Sequence, residues 1–291
     1  MNKIMTEIFC FVDEFCKIFE QEIQKNLLSS GGSNRKPTRI RLLTISEIVT
    51  ILIMYSFSPC KNFKFYYLIC VKKVDFPHKV SYQRFIELQP RAFAIIAALA
   101  NSCKGEETGN YFIDATTLAV CHNKRTSGHK VFKGIAQMGK STMGWFYGFK
   151  LHLSINQKGE IMNLSITKGN ATDVSMVETL VKNLIGKVYG DKGYISTKLF
   201  ERLFSLGLHL ITGIKKTMKN KLMEVHDKIM LRKRSLIETV FDYLKNKFNL
   251  QHTRHRSPIN FLIHILSTVI AYQFKRNKPS ISFQKNLTIC A

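Results

Sequence analysis

The chain has 291 residues, 45% of them hydrophobic and 22% charged, which excludes wholesale disorder and allows one large domain or two ordinary ones. Its 44 Lys and Arg against 20 Asp and Glu give a net charge of +24, so an acidic partner is expected, with nucleic acid first among them. The excess is uneven: residues 1–108 carry 15 basic and 10 acidic side chains and residues 109–291 carry 29 and 10, which places the polyanion mainly against the second part.

The first hundred residues read as helices. Residues 5–28 place Ile8, Phe11, Val12, Phe15, Ile18, Phe19 and Ile23 at helical spacing. Ser29-Ser30-Gly31-Gly32-Ser33-Asn34 breaks the pattern. A second helix is expected over Ile45–Phe57, with Thr44 and Glu47 spaced as a capping box. Further helices are expected over Asn62–Val71 and Tyr82–Leu99, the last capped by Ser81. The apolar runs Leu42–Phe57 and Phe261–Phe274 fall short of the roughly 20 residues a bilayer requires and read as buried helices.

The pattern changes at Gly109. Tyr111–Leu118, Phe146–Ile155 and Glu160–Thr167 read as three antiparallel strands. A helix over Asp173–Ile185, a strand over Lys187–Asp191, a helix over Ser196–Leu206 stopped by Gly207, and a strand over Leu208–Ile214 follow. A long helix over Leu231–Phe248 ends the series. This order predicts a mixed α/β sheet with flanking helices, the element order of a ribonuclease-H-like fold. The division expected is a helical region over 1–108, a ribonuclease-H-like domain over 109–279 and a tail over 280–291. The helical region is expected to bind DNA ends or to dimerise.

Seven cysteines (Cys10, Cys16, Cys60, Cys70, Cys103, Cys121 and Cys290) include no Cys-x-x-Cys pair. Reduced thiols in a cytoplasmic protein are expected, not a zinc site. Acids are scarce in the second part, so their positions carry information. Asp114 sits inside the apolar strand Tyr111-Phe112-Ile113-Asp114, where an uncompensated carboxylate is costly. Asp191 closes a strand, the place where open α/β sheets bind ligands. Glu238, Arg234 and Lys245 share one flank of the last helix, beside the apolar stripe of Ile237, Val240, Phe241, Leu244 and Phe248. Three carboxylates on separate elements suit magnesium, a hard cation that takes few protein ligands. Two such ions, roughly 4 Å apart, can serve phosphoryl chemistry. Lys150 and His152 alternate on one strand face, and both phosphate placement and a structural role are open for them. The basic stretch that includes Arg254 and Arg256 is expected on a DNA backbone, and Trp145, the only tryptophan, is expected in the core unless it stacks on a base.

Three local motifs are more specific. Phe112-Ile113-Asp114-Ala115-Thr116, Tyr189-Gly190-Asp191-Lys192-Gly193-Tyr194, and the run Leu231 to Lys245 with its Arg234, Glu238 and Lys245 spacing resemble the three motifs of DDE-type insertion-sequence transposases. The likeness is closest to the bacterial nine-eighty-two group and runs from about residue 40 to residue 279. In the third motif, Leu231 stands where a tyrosine is common. The resemblance implies a ribonuclease-H-like core in which Asp114, Asp191 and Glu238 hold Mg2+, with Mn2+ able to substitute. It implies cleavage at terminal inverted repeats and strand transfer into target DNA by a homodimer or higher oligomer. Lys192 joins Lys150, His152, Arg234, Lys245, Arg254 and Arg256 as candidate DNA contacts. A non-catalytic DNA-binding descendant and a nuclease without strand transfer are the competing readings.

Overall fold

The computed structural model of the protein describes residues 2–29, 42–73, 80–215, 218, 222–251 and 255–281. The chain forms two compact units, one of Met1–Cys103 with Leu244–Phe274 and one of Lys104–Tyr243 with Lys275–Ala291.

The described part of the first unit is helical: α1 (Asn2–Ser29), α2 (Ile45–Phe57), α3 (Phe63–Ile69), α4 (Tyr82–Leu88), α5 (Phe93–Ser102) and α10 (Pro258–Gln273). Helix α1 buries a narrower stripe than its sequence suggests. Ile8, Val12 and Cys16 are inside, while Phe11 and Ile18 stay exposed. Helix α2 starts with the expected capping box. The Glu47 amide donates to Thr44 Oγ1 at 3.1 Å and the Thr44 amide to Glu47 Oε2 at 2.7 Å. Such caps contribute about 1 kcal/mol. Helix α2 is buried along nearly its whole length, and α10 packs against both α2 and α5. The single helix expected over 82–99 is two, joined by a 3-10 turn over Gln89–Ala92. Pro90 causes the break, because it lacks an amide hydrogen and its ring collides with the preceding turn.

The second unit is built on a six-stranded sheet: β1 (Asn110–Cys121), β2 (Gln137–Ser141), β3 (Gly144–Asn156), β4 (Ile161–Lys168), β5 (Gly186–Gly190) and β6 (Leu208–Thr212). Its order is β2-β3-β1-β5-β6, with β4 also on β3. Strands β1, β3 and β4 form the expected antiparallel set, and β5 and β6 extend it in parallel beside β1. This is the ribonuclease-H-like arrangement. Strand β2 has no counterpart in the sequence reading. Gln137-Met138-Gly139-Lys140-Ser141 lacks an alternating apolar face, and it becomes a strand by pairing with the first half of β3.

Helices cover both faces. One face packs Tyr111, Ile113 and Val188 against α6 (Val177–Leu180) and α7 (Thr197–Ser205) through Leu180, Leu199 and Leu203. The other is covered by α8 (Val225–Lys233) and α9 (Ser235–Asp242). Helix α6 is one turn, preceded by a 3-10 turn, where thirteen residues of helix were expected. Asn183 then takes a left-handed φ of 63°, which ends it. The long final helix of the sequence reading starts earlier, at Val225, and tightens into a turn at Arg234. After Asp242 it widens into a π turn over Tyr243–Lys247.

The sheet needs a glycine where β3 crosses the bulge of β1. A Cβ on Gly148 would lie 2.0 Å from the Leu118 carbonyl oxygen. Gly148→Ala is therefore expected to cost about 3 kcal/mol, because backbone and not a flexible side chain must move. A urea midpoint unchanged by the substitution would contradict this.

Candidate active site

Strand β1 carries Asp114. Alternation puts Phe112, Asp114 and Thr116 on the face covered by α9 and puts Tyr111, Ile113 and Ala115 on the opposite face. Strands β1 and β5 pair only through Asn110–Phe112, so they have parted before Asp114 is reached. The carboxyl end of β5 then delivers Asp191 into the opening. Helix α9 brings Glu238 from above the sheet.

Arg234 ties two of these acids together. Its Nη1 donates to Asp114 Oδ2 at 3.1 Å and its Nη2 to Glu238 Oε1 at 3.0 Å. The i to i+4 spacing of Arg234 and Glu238 aligns one arm of the fork, and the turn at Arg234 aims the other at the sheet. The Asp114 side chain is 23% exposed and that of Glu238 58% exposed, so the bridge runs from the sheet to the surface. Burial raises the Asp114 carboxyl above its ordinary value. The Ala115 amide and the Arg234 guanidinium oppose that, and the charges of Glu238 and Asp191 add to it. Asp191 is exposed, and its carboxylate has no hydrogen bond to another group among the described residues.

Tyr194 closes the floor. Its hydroxyl is buried with no hydrogen-bond partner among the described residues, and burial together with Asp114, Asp173 and Asp191 holds it well above the ordinary phenol range. Lys192 lies between Asp191 and Tyr194 in the chain and is exposed, with its aliphatic stem over Gly213.

Two further sequence candidates of this unit face away from Asp114. Lys150 and His152 pair with Thr117 and Ala115 on β1, the face opposite Asp114. Lys150 donates to Asp173 Oδ1 and to the Ala171 carbonyl, both at 2.9 Å. His152 is fully buried against Thr167 at 2.8 Å, and burial pushes it down to about 4, so it is neutral at physiological pH. In the first unit, Lys245 is half-buried in the π turn, where burial lowers its amine, and Arg256 is exposed just ahead of α10. Arg254 lies outside the described residues.

Asp227 was not among the sequence candidates. It is 4% exposed and accepts from Lys187 Nζ and the Tyr189 hydroxyl, each at 2.9 Å. Burial works against its charge, but these donors prevail and hold the carboxyl below its ordinary value. The cluster fixes α8 on β5 and so positions the helix that leads into Arg234 and Glu238. Its sequence signal was faint: one acid six residues after the last lysine of a basic stretch, with partners 38 and 40 residues away.

Three carboxylates are hard oxygen donors of the type a divalent cation selects. Among the described residues, however, no three His, Cys, Asp or Glu side chains lie close enough together to share one ion. The Arg234 guanidinium holds two of the three carboxylates instead.

Residues 104–258 match the family described as Transposase DDE domain. The chain belongs to the DDE transposase family. The transposase is also similar in fold to the piggyBac transposase, solved as a synaptic complex with hairpin DNA, at 10% identity and a TM-score of 0.50, covering 94% of this chain and 72% of that one. A Mos1 mariner paired-end complex with Mn is a further match, at 12% identity and a TM-score of 0.24, covering 95% and 98%. No curated protein matches the transposase in sequence. No helix among the described residues of the transposase is long and apolar enough to cross a membrane.

Proposed function

We propose that this transposase cuts DNA at the terminal inverted repeats of a bacterial insertion sequence of the nine-eighty-two group and joins the freed 3′ ends to target DNA. The observation that carries the reading is the meeting of Asp114 and Glu238 on one guanidinium, with Asp191 close enough for its charge to act on Asp114. Asp114, Asp191 and Glu238 would hold Mg2+, or Mn2+ in its place. Bound there, two such ions would supply the positive charge that phosphodiester cleavage and transesterification require.

The chain's own residues supply the rest. The sheet fixes Asp114 and Asp191, and the Asp227 cluster fixes the approach of α9. Lys192, exposed and next to Asp191 in the chain, would hold a DNA phosphate. Arg234 would do the same once released from the carboxylates, and the exposed Arg256 would add backbone contact from the first unit. The solved piggyBac complex contains DNA, which supports DNA as partner, and a homodimer or higher oligomer would hold the two ends together.

The test is an assay of the full chain on duplex DNA taken from the flanks of its gene, with Mg2+ and with chelator. Nicking is expected only with Mg2+, and joined products when target DNA is added. Nicking with no joined product at any target concentration would leave a nuclease. Binding without nicking would leave a DNA-binding protein.

A further inference from the structure

The β2–β3 hairpin of the second unit stands apart from the carboxylates and has no part in the reading above. Its turn exposes two large apolar side chains. Met143 is 96% exposed and Trp145, the only tryptophan of the chain, 60% exposed. Core packing was the default expectation for that tryptophan, and the structure puts it outside.

The surroundings of Trp145 are built. It pairs with Lys140 across the hairpin, and the Lys140 amine lies 5.8 Å from the indole centroid. The Trp145 carbonyl accepts from Asn123 Nδ2 at 2.6 Å, which draws the 3-10 turn of Asn123–Arg125, with Lys124 and Arg125, beside it. Buried Phe132 then pins the intervening loop, because its carbonyl accepts from the Tyr147 hydroxyl at 3.3 Å and its ring stacks on His129. That pin sets Lys130 and Lys133 on the same connection. Residues 122–145 thus carry five cations and no acid, and none of the five is paired with a carboxylate among the described residues.

An exposed indole within a field of unpaired cations is poorly suited to a protein core and well suited to nucleic acid. Cations take the phosphates, and an aromatic face takes a base of any sequence. We infer that the hairpin tip is a second DNA contact of this chain, with Trp145 against bases and Lys140, Lys124 and Arg125 against the neighbouring backbone. The inference rests on the reading of DNA as partner. It adds a surface that the three carboxylates do not predict.

The single tryptophan makes the test direct. A duplex with a single-stranded overhang is titrated into the full chain, with binding followed by polarisation of labelled DNA and Trp145 followed by its own emission. The expected result is that emission changes along the same isotherm and that DNA shields the indole from acrylamide. Trp145→Ala should weaken binding about tenfold, and Trp145→Phe should stay near the natural chain. Lys140→Gln should lower the slope of log affinity against log salt by about one. Binding by polarisation with unchanged emission, unchanged acrylamide access and full affinity in Trp145→Ala would overturn the hairpin contact and leave DNA binding intact. Absence of binding by the natural chain would overturn both. Self-association lost in Trp145→Ala without DNA, with affinity for DNA unchanged, would assign the tip to a second copy of the chain and overturn the inference.

Discussion

Asp114→Asn is expected to abolish strand cleavage, by at least about a thousandfold, while DNA binding persists. An amide keeps the shape of the side chain but removes the charge that a hard cation needs, and the metal's share of such reactions is several kcal/mol. Glu238→Gln should do the same from the helix side. The stability outcome separates this from damage to the fold. Burial holds the Asp114 carboxyl above its ordinary value, so its charged form is a cost to the native state. The contribution of that group is present in full below the unfolded value of 3.8 and is lost as pH rises through the higher folded value. Asp114→Asn should therefore melt no lower than the natural chain near neutral pH without metal, and its melting temperature should lose that part of the pH dependence. Cleavage retained within tenfold would remove Asp114 from the site. Lost cleavage with a collapsed melting temperature would mark a structural role instead.

Arg234→Gln is expected to tighten Mn2+ binding about tenfold in the absence of DNA, as read by electron paramagnetic resonance of free Mn2+. The guanidinium stands between Asp114 and Glu238 with both arms engaged. It is a built-in cation at the site proposed for a metal, and an ion bound there would compete with it. Two like charges a few ångströms apart repel by several kcal/mol at an effective dielectric of about 20, and partial exposure reduces this toward the tenfold expected. Arg234→Lys keeps the charge but loses the fork, and should fall between the two. The same glutamine should also weaken cleavage, because the freed Arg234 is then missing from the phosphate. Mn2+ affinity unchanged or weaker in Arg234→Gln would show that Arg234 supports the ligands and does not compete for them.

Much of this fold was legible because local chemistry decided it. The capping box at Thr44 and Glu47, the alternation of β3 and the stop at Gly207 all act within a few residues, and each stands where the sequence put it. What was missed depends on partners distant in sequence. Strand β2 exists only because β3 offers it an edge. The helix expected over Leu231–Phe248 starts earlier and tightens at Arg234, beside a guanidinium engaged by a residue 120 positions away. At the site, residue type and strand position were readable, and orientation was not. Lys150 and His152 carry the chemistry of a phosphate contact, but the parity of β3 against β1 turns both to the far face, where Asp173 and Thr167 engage them. Asp227 could not be singled out, since its importance comes from Lys187 and Tyr189 on another element.

The first unit takes its helices from both ends of the described chain, with α10 packed on α2 and α5. On the ribosome, then, α10 follows the strands of the second unit, and α1 to α5 precede them. Helices α1 to α5 emerge with apolar surface that only residues 258–273 will cover, while the strands of the second unit, synthesised in between, can assemble among themselves. A nascent chain halted after Asp242 would hold all three carboxylates and yet leave uncovered the surface of α2 and α5 that α10 packs on. Such a product is expected to be captured by chaperones or to aggregate before it can touch DNA, so truncated copies of this gene should be silent through misfolding even when all three carboxylates are encoded.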